Sequence, residues 1–257
     1  MKDNLLLIAI LVAGVLVAGA LIYNKKTNNT DPITDKTNVE QKYKTVDFSI
    51  SPITENDHIL GSSDADITIV EYSDTECPFC KNFHETLRSV VAKDSDVAWV
   101  YRHFPIANLH SKARNESQAT ECAYRQGGND AFWSYINRVY EVTTSNNTLD
   151  PKELQNIAKE NKLDMTKFNV CLTEAPDSEK IDNSISEATK NGALGTPFSV
   201  FELKNELSED KKTTIQGMFE DMNAEDYIVF GNDNKSLSVG GAMPETLIQS
   251  LIDAIKA

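Results

Sequence analysis

Two cysteines separated by two residues carry the clearest chemistry in the sequence. Cys77 and Cys80 enclose Pro78 and Phe79. The pair follows an apolar run over residues 67–72 that is typical of a buried strand, and it precedes apolar residues at helical spacing. A C-x-x-C pair at such a strand-to-helix junction is typical of dithiol–disulfide chemistry. At a helix N-terminus the free N–H groups and the helix dipole would stabilise a Cys77 thiolate, and Cys80 would lie one turn further on, within disulfide reach.

Half of a zinc site is the alternative interpretation of this pair. The two remaining cysteines, Cys122 and Cys171, are single residues in separate predicted helices and do not form a second C-x-x-C. The pattern therefore disfavours zinc, and we expect neither a metal nor a cofactor. The histidines lie in sequence contexts typical of surface or packing positions, so none of them is predicted to be catalytic. They are His58, His84, His103 and His110.

The elements predicted around the pair form an α/β fold. A strand over residues 67–72, the helix after Pro78 and a second apolar strand over residues 97–101 make a βαβ unit with parallel strands. Glu71 alternates with the inward residues of its strand, so its carboxyl group should point into the interior. The pattern predicts consecutive helices over about residues 105–192, the first of them ending at a Gly-Gly pair.

The remainder of the chain returns to sheet and helix. The pattern of residues 195–201 predicts a strand. The segment from about residue 202 to about residue 235 is charged and has no clear apolar period, which predicts an excursion on the surface. A hairpin around residues 231–234 and a final helix opened by Pro244 complete the pattern. The helical block therefore falls between the two halves of a small sheet.

The N-terminal region has a different composition. Residues 5–23 are almost purely apolar and, at 19 residues, are long enough to cross a bilayer. We favour an uncleaved single-pass anchor, while a signal peptide cleaved after Ala18-x-Ala20 is the alternative. The predicted organisation is an anchor or signal segment at 1–23, a flexible linker at 24–47 and a folded domain at 48–257. The net charge of −14 argues against nucleic acid and anionic lipid as partners.

Several motifs along the chain resemble a family of known proteins. They are Ile59-Leu60-Gly61, Cys77-Pro78-Phe79-Cys80, Tyr101-Arg102-His103-Phe104-Pro105, Gly195-Thr196-Pro197 and Gly240-Gly241-Ala242-Met243-Pro244. The sequence is similar to the DsbA-like thiol:disulfide oxidoreductases of the thioredoxin superfamily. The resemblance implies a thioredoxin fold, that is, a central mixed sheet flanked by helices, with an inserted all-helical domain. The apolar residues 5–23 add a preceding transmembrane helix to this prediction.

The resemblance also implies roles for individual residues. Cys77 would be the attacking sulfur and Cys80 the resolving one, and Glu71 resembles the family's buried acid, although a purely structural glutamate is the alternative. Pro197 resembles the family's cis-proline, which would expose the backbone of Thr196 for pairing with substrate. Pro78 and Phe79 would contact substrate and tune the thiol, and Phe79 departs from the family's Cys-Pro-His-Cys version. Independently of the resemblance, Cys122 and Cys171 fall on apolar faces of helices in one predicted helical block. In an exported protein they would form a structural disulfide, or else remain buried free thiols.

These expectations define a function and its alternatives. The lead hypothesis is a membrane-tethered oxidase on the extracytoplasmic side of the cell membrane that forms disulfides in exported proteins. A DsbB-like or VKOR-like membrane oxidase would re-oxidise it. An isomerase or reductase kept reduced by a membrane electron donor is the alternative, and a tethered binding or chaperone-like module is a third hypothesis.

Overall fold

The computed structural model describes residues 43–257. The predicted membrane helix at residues 5–23 and most of the predicted linker lie outside the described residues. Over residues 43–257, none of the helices combines the length and the apolar character needed to cross a bilayer.

Strands of the described residues form a single mixed sheet. They are β1 (Thr45–Val46), β2 (His58–Leu60), β3 (Ile67–Ser73), β4 (Val97–His103), β5 (Phe198–Leu203), β6 (Ile228–Gly231) and β7 (Ser236–Gly240). Their order in the sheet is β1-β6-β7-β5-β3-β4-β2. Strand β3 is central and pairs in parallel with β4 and antiparallel with β5. The predicted βαβ unit is therefore confirmed.

Helices cover both faces of this sheet. They are α1 (Pro78–Lys93), α2 (Ala113–Val142), α3 (Pro151–Glu160), α4 (Met165–Glu174), α5 (Ser178–Lys190), α6 (Glu209–Glu220) and α7 (Glu245–Lys256), with a 3-10 turn at Glu225–Tyr227. Apolar residues of α1, α6 and α7 pack on one face of the sheet in the largest core. A smaller core on the other face includes Ala188 of α5. Central strands buried on both faces account for their nearly continuous apolar sequences.

The block between β4 and β5 is entirely helical and has a core of its own. Asp150 and Asp164 cap α3 and α4, because each carboxylate accepts hydrogen bonds from backbone N–H groups of the first turn. Helix α2 is broken at Gly127 and Gly128, whose backbone angles are not helical. The glycine pair thus ends the first predicted helix, as its sequence indicates.

Three details differ from the sequence-based expectation. The linker predicted to extend to residue 47 ends earlier, because Thr45–Val46 adds a short parallel strand to the edge of β6. Strand β2 was not predicted, and it pairs antiparallel with β4. The excursion predicted at about 202–235 is not confined to the surface, since Ile215 and Phe219 of α6 are buried in the main core.

Gly61 fixes the turn that follows β2. Its φ of +98° lies in the region that side chains rarely adopt, and a Cβ atom there would meet the Val97 carbonyl oxygen at 2.8 Å. The close approach of two backbone segments therefore requires glycine at this position.

Candidate active site

Cys77 and Cys80 lie at the start of α1, at the carboxyl end of the central strand. Cys77 is the N-cap residue with extended backbone angles, and Pro78 occupies the first helical position, where its missing N–H is no loss. Both thiols are free. Cys77 is 5% exposed and Cys80 is fully buried, so the outer sulfur is the one that a substrate can reach.

Hydrogen-bond donors at the N-terminus of α1 lower the pKa of the Cys77 thiol. A hydrogen bond from Cys80 and the backbone N–H groups of Cys80 and Phe79 stabilise its thiolate, and together they outweigh burial and lower the pKa of Cys77 to about 6. The thiolate is therefore the main form of Cys77 at neutral pH, which is the form that attacks disulfides.

The loop that contains Pro197 faces Cys77. The Thr196–Pro197 peptide bond is cis, as the sequence motif predicts. The Cys77 Sγ lies 3.4 Å from the Thr196 carbonyl oxygen and donates a hydrogen bond to it. Residues 119 positions apart in sequence therefore form the two sides of one site.

A group of buried polar side chains lies beneath the two thiols. Burial raises the pKa of Cys80 well above its usual value, and its neighbour Glu71 adds to this shift. Burial also raises the pKa of Glu71 to about 8, and weaker contacts with Ser73 and Trp99 offset this only in part. Glu71 is thus protonated at neutral pH and is close enough to Cys80 to affect its ionisation.

Two tyrosines that sequence reasoning did not identify complete this buried group. The Tyr101 and Tyr140 hydroxyls lie 3.2 Å apart, and the Tyr140 hydroxyl lies 3.1 Å from Ser73 Oγ. Burial raises the pKa of both tyrosines, so both are neutral. The group joins β3 and β4 to the helical block directly under the active site.

Exposed apolar side chains occur between the two cysteines and just before the cis-proline loop. Phe79 is 63% exposed, and Leu194, which precedes the cis-proline loop, is fully exposed. A cleft of about 610 Å³ beside this loop is lined by residues that include Leu194, Thr196, Pro197 and Tyr227. Exposed large apolar groups beside a concave surface are typical of contacts with another chain.

Cys122 of α2 and Cys171 of α4 form a disulfide bond. Cys122 is fully buried in the core of the helical block. The bond links two helices of the insertion and has no direct contact with Cys77 or Cys80 among the described residues.

The four histidines are all buried, which corrects the expectation that some lie at the surface. His58 and His103 direct their Nε2 atoms at Glu121 Oε1, at 2.7 and 3.1 Å, in the one arrangement among residues 43–257 that resembles a metal site. The Lys180 ammonium lies 3.0 Å from both Glu121 Oε2 and His58 Nε2. A lysine side chain therefore already neutralises this carboxylate, and the arrangement fits a buried ion pair between β2, α2 and α5 better than a metal site.

Comparisons with known proteins agree with this geometry. The protein-family profile described as Thioredoxin matches residues 53–214. Pseudomonas aeruginosa DsbA2, whose crystal structure is known, is 28% identical in sequence, with 80% of this chain and 96% of that chain covered and a TM-score of 0.55. Wolbachia pipientis α-DsbA1 is 21% identical, with 79% and 92% covered and a TM-score of 0.58, and supports the fold.

Curated relatives match over a shorter region. The Na⁺/H⁺ antiporter NhaA 3 of Salinispora tropica is 28% identical over 152 residues, which are 59% of this chain and 22% of the antiporter. The NhaA antiporter of Herminiimonas arsenicoxydans is 31% identical over 144 residues, which are 56% of this chain and 22% of that antiporter. The chain spans about a fifth of the length of these relatives.

A thioredoxin fold with a dithiol at the first turn of its helix and a helical insertion defines a DsbA-like thiol:disulfide oxidoreductase. Because the profile match covers more than half of the sequence, the chain belongs to the thioredoxin family.

Proposed function

We propose that the protein is a membrane-tethered, extracytoplasmic oxidase that forms disulfide bonds in exported proteins. The observation that carries the proposal is the free Cys77–Cys80 pair at the N-terminus of α1, opposite the Thr196–Pro197 cis peptide bond, where the pKa of Cys77 is lowered to about 6. A more stable thiolate favours the reduced enzyme, and the enzyme disulfide is then more readily reduced by a substrate dithiol.

The reaction is a two-step exchange. In the oxidised enzyme, a substrate thiolate attacks Cys77 Sγ, the Cys77–Cys80 bond breaks and Cys80 leaves with the electron pair. A second substrate thiolate then attacks the substrate sulfur of the mixed disulfide, and Cys77 leaves as a thiolate. The substrate gains one disulfide bond, and the enzyme gains two electrons as a dithiol. Glu71, protonated at neutral pH, supplies a proton to Cys80 as it leaves.

Substrates in this proposal are extended segments of cysteine-containing exported proteins. The Thr196 backbone can pair with such a segment once the mixed disulfide releases its contact with Cys77. Phe79 and Leu194 would contact apolar substrate residues on either side, and Pro78 lies at the same surface of α1.

The proposal also covers the cellular location of the protein and the partner that re-oxidises it. The apolar residues 5–23 support a membrane anchor, and the Cys122–Cys171 bond is typical of an oxidising compartment. A DsbB-like or VKOR-like membrane oxidase would return the dithiol to the disulfide. No transport activity is proposed, because the similarity to the antiporters covers about a fifth of their length.

A disulfide isomerase or reductase is the second candidate, and Phe79 is the observation that favours it. The position holds no histidine, so one cationic stabiliser of the thiolate is absent, and the Cys77 pKa of about 6 is closer to that of thioredoxin than to that of DsbA.

The reduction potential of the Cys77–Cys80 couple tests the direction of electron flow. The protein is equilibrated with glutathione redox buffers, and the fraction of dithiol is read by alkylation and mass spectrometry. A matched Cys122→Ala/Cys171→Ala variant confines the signal to the active-site pair. A potential near −120 mV supports the oxidase, and one near −270 mV would establish the reductase instead.

The location has its own test. Intact cells are treated with a membrane-impermeant maleimide after mild reduction, and Cys77 labelling is compared with that in lysed cells. Equal labelling supports an extracytoplasmic domain, and labelling only after lysis would refute it.

A further inference from the structure

The loop between β3 and α1 is held by the helical block. Residues 74–76 carry three polar side chains, and each of them is fully buried. Thr75 Oγ1 donates a 2.6 Å hydrogen bond to Glu116 of α2. The Glu76 carboxylate accepts from the backbone N–H of Asn147, just after α2. A loop next to a reactive thiol is therefore fixed by contacts made far away in sequence.

Asp74 makes the densest of these contacts. Its Oδ1 accepts from the Glu76 N–H at 2.9 Å, and its Oδ2 accepts from the Ile106 N–H at 2.7 Å and contacts His110 Nδ1 at 2.9 Å. A buried carboxylate is tolerated only when it is well hydrogen-bonded, and three donors meet that requirement. The side chain consequently fixes the orientation of its own peptide groups.

The backbone of the same residue reaches both cysteines. The Asp74 N–H points at Cys80 Sγ at 3.4 Å, and the Asp74 carbonyl oxygen accepts from the Cys77 N–H at 3.1 Å. Burial opposes ionisation of Cys80, and the Asp74 N–H acts in the opposite direction by lowering the pKa of that thiol.

The exchange reaction places negative charge on Cys80 in either direction. When the enzyme reduces a disulfide, the Cys77 thiolate first forms a mixed disulfide and releases one substrate thiolate. Cys80 then loses its proton and attacks Cys77 Sγ. The bond from Cys77 to substrate breaks, the second substrate thiolate leaves and two electrons have passed to the substrate. When the enzyme oxidises a dithiol, the same Cys77–Cys80 bond breaks and Cys80 leaves as the thiolate.

We propose that Asp74, held by Ile106 and His110, is a positioning residue that aims its N–H at Cys80 Sγ and stabilises the charge on this sulfur whenever the Cys77–Cys80 bond forms or breaks. The role concerns the resolving cysteine, so it is independent of which direction of electron flow prevails. A hydrogen bond to a charged acceptor is among the strong ones in proteins, so its misalignment should slow this step more than any other.

The test separates the two steps in one experiment. The reduced full-length protein is mixed with excess oxidised glutathione and quenched with acid at successive times. Mass spectrometry then follows the mixed disulfide and the closed Cys77–Cys80 bond. We expect Asp74→Ala to slow closure roughly tenfold or more while mixed-disulfide formation stays within about twofold of wild type. The mixed disulfide should therefore accumulate.

Two further comparisons exclude a merely structural effect. Asp150→Ala removes another carboxylate that accepts a backbone N–H, at the start of α3 and away from the thiols, and it should leave both rates unchanged. His110→Ala should slow closure roughly threefold, and His110→Asn should restore it, because the amide N–H replaces Nδ1–H. If Asp74→Ala fails to fold, the closure rates of the two His110 variants decide whether the fixed Asp74 side chain is needed for closure. The proposal is overturned if closure is unaffected, if both steps slow equally, or if His110→Asn fails to recover the rate.

Discussion

Replacing Cys80 tests the cause assigned to the acidity of Cys77. The largest contribution to the lowered Cys77 pKa is the hydrogen bond from Cys80, ahead of the backbone N–H groups. Hydrogen bonds to charged groups contribute about 1.5–3 kcal/mol, and a thiol is a weak donor, so the low end applies here. One pKa unit corresponds to about 1.4 kcal/mol. The Cys80→Ala variant should therefore raise the Cys77 pKa from about 6 to about 7.

The consequence at neutral pH is measurable. At pH 7 the thiolate fraction of Cys77 should fall from roughly nine-tenths to roughly one-half. The assay follows thiolate absorbance at 240 nm across the pH range, with a Cys77→Ser/Cys80→Ala variant as the baseline. Iodoacetamide alkylation rates give an independent titration of the same sulfur.

A serine variant supplies the matched control. Cys80→Ser keeps a hydroxyl donor at the same place, so its Cys77 pKa should stay close to the wild-type value. If the alanine and serine variants titrate within about 0.3 unit of each other, the Cys80 hydrogen bond is not the cause. The helix N-terminus would then be the main source of stabilisation.

Three other predictions concern stability. Glu71→Gln should stabilise the fold by roughly 3 kcal/mol at pH 7 and have little effect at pH 4. Burial raises the pKa of the Glu71 carboxyl from 4.5 to about 8, so this group lowers the free energy of unfolding only above pH 4.5, and the full loss is reached near pH 8. Urea unfolding at several pH values measures the difference between wild type and variant. Gly61→Ala should lower the free energy of unfolding by about 1–3 kcal/mol, because a side chain at positive φ would approach the Val97 carbonyl. Cys122→Ala/Cys171→Ala should lower it by about 2–4 kcal/mol without loss of exchange activity.

Each of the three stability predictions can be contradicted by a specific result. An equal effect of Glu71→Gln at pH 4 and pH 7 would show that ionisation is not the cause. Gly217→Ala in α6 is the control for Gly61, because a Cβ there meets nothing within 4 Å, and similar losses at both sites would refute the backbone argument. Loss of exchange activity without the Cys122–Cys171 bond would contradict a purely structural role for it.

The parts of the site that sequence reasoning could predict depend on local chemistry. Cys77, Cys80 and Pro197 belong to short motifs whose residue types are required by exchange chemistry and by the backbone opposite the thiol. Alternation along a strand was enough to place the Glu71 side chain inside.

The rest depends on contacts between distant residues. His110 meets Asp74 across 36 positions and Thr75 meets Glu116 across 41, and neither pairing has a local pattern. Strand β1 was missed for a related reason, because two polar-flanked residues become a strand only when an exposed edge, here β6, is available to pair with them.

The sheet order has a consequence for how the four cysteines find their partners during folding. Strand β5 must pair with β3 and β7, so the centre of the sheet is complete only after the last strands of the chain are available. All four cysteines precede β5, and four cysteines can pair in three ways. Cys77 and Cys80 are close in sequence, and the helices α2 to α5 that carry Cys122 and Cys171 are contiguous, so neither pairing needs strands β5 to β7. Once either bond has formed, one combination remains, so the correct pairing can be fixed before the sheet is complete.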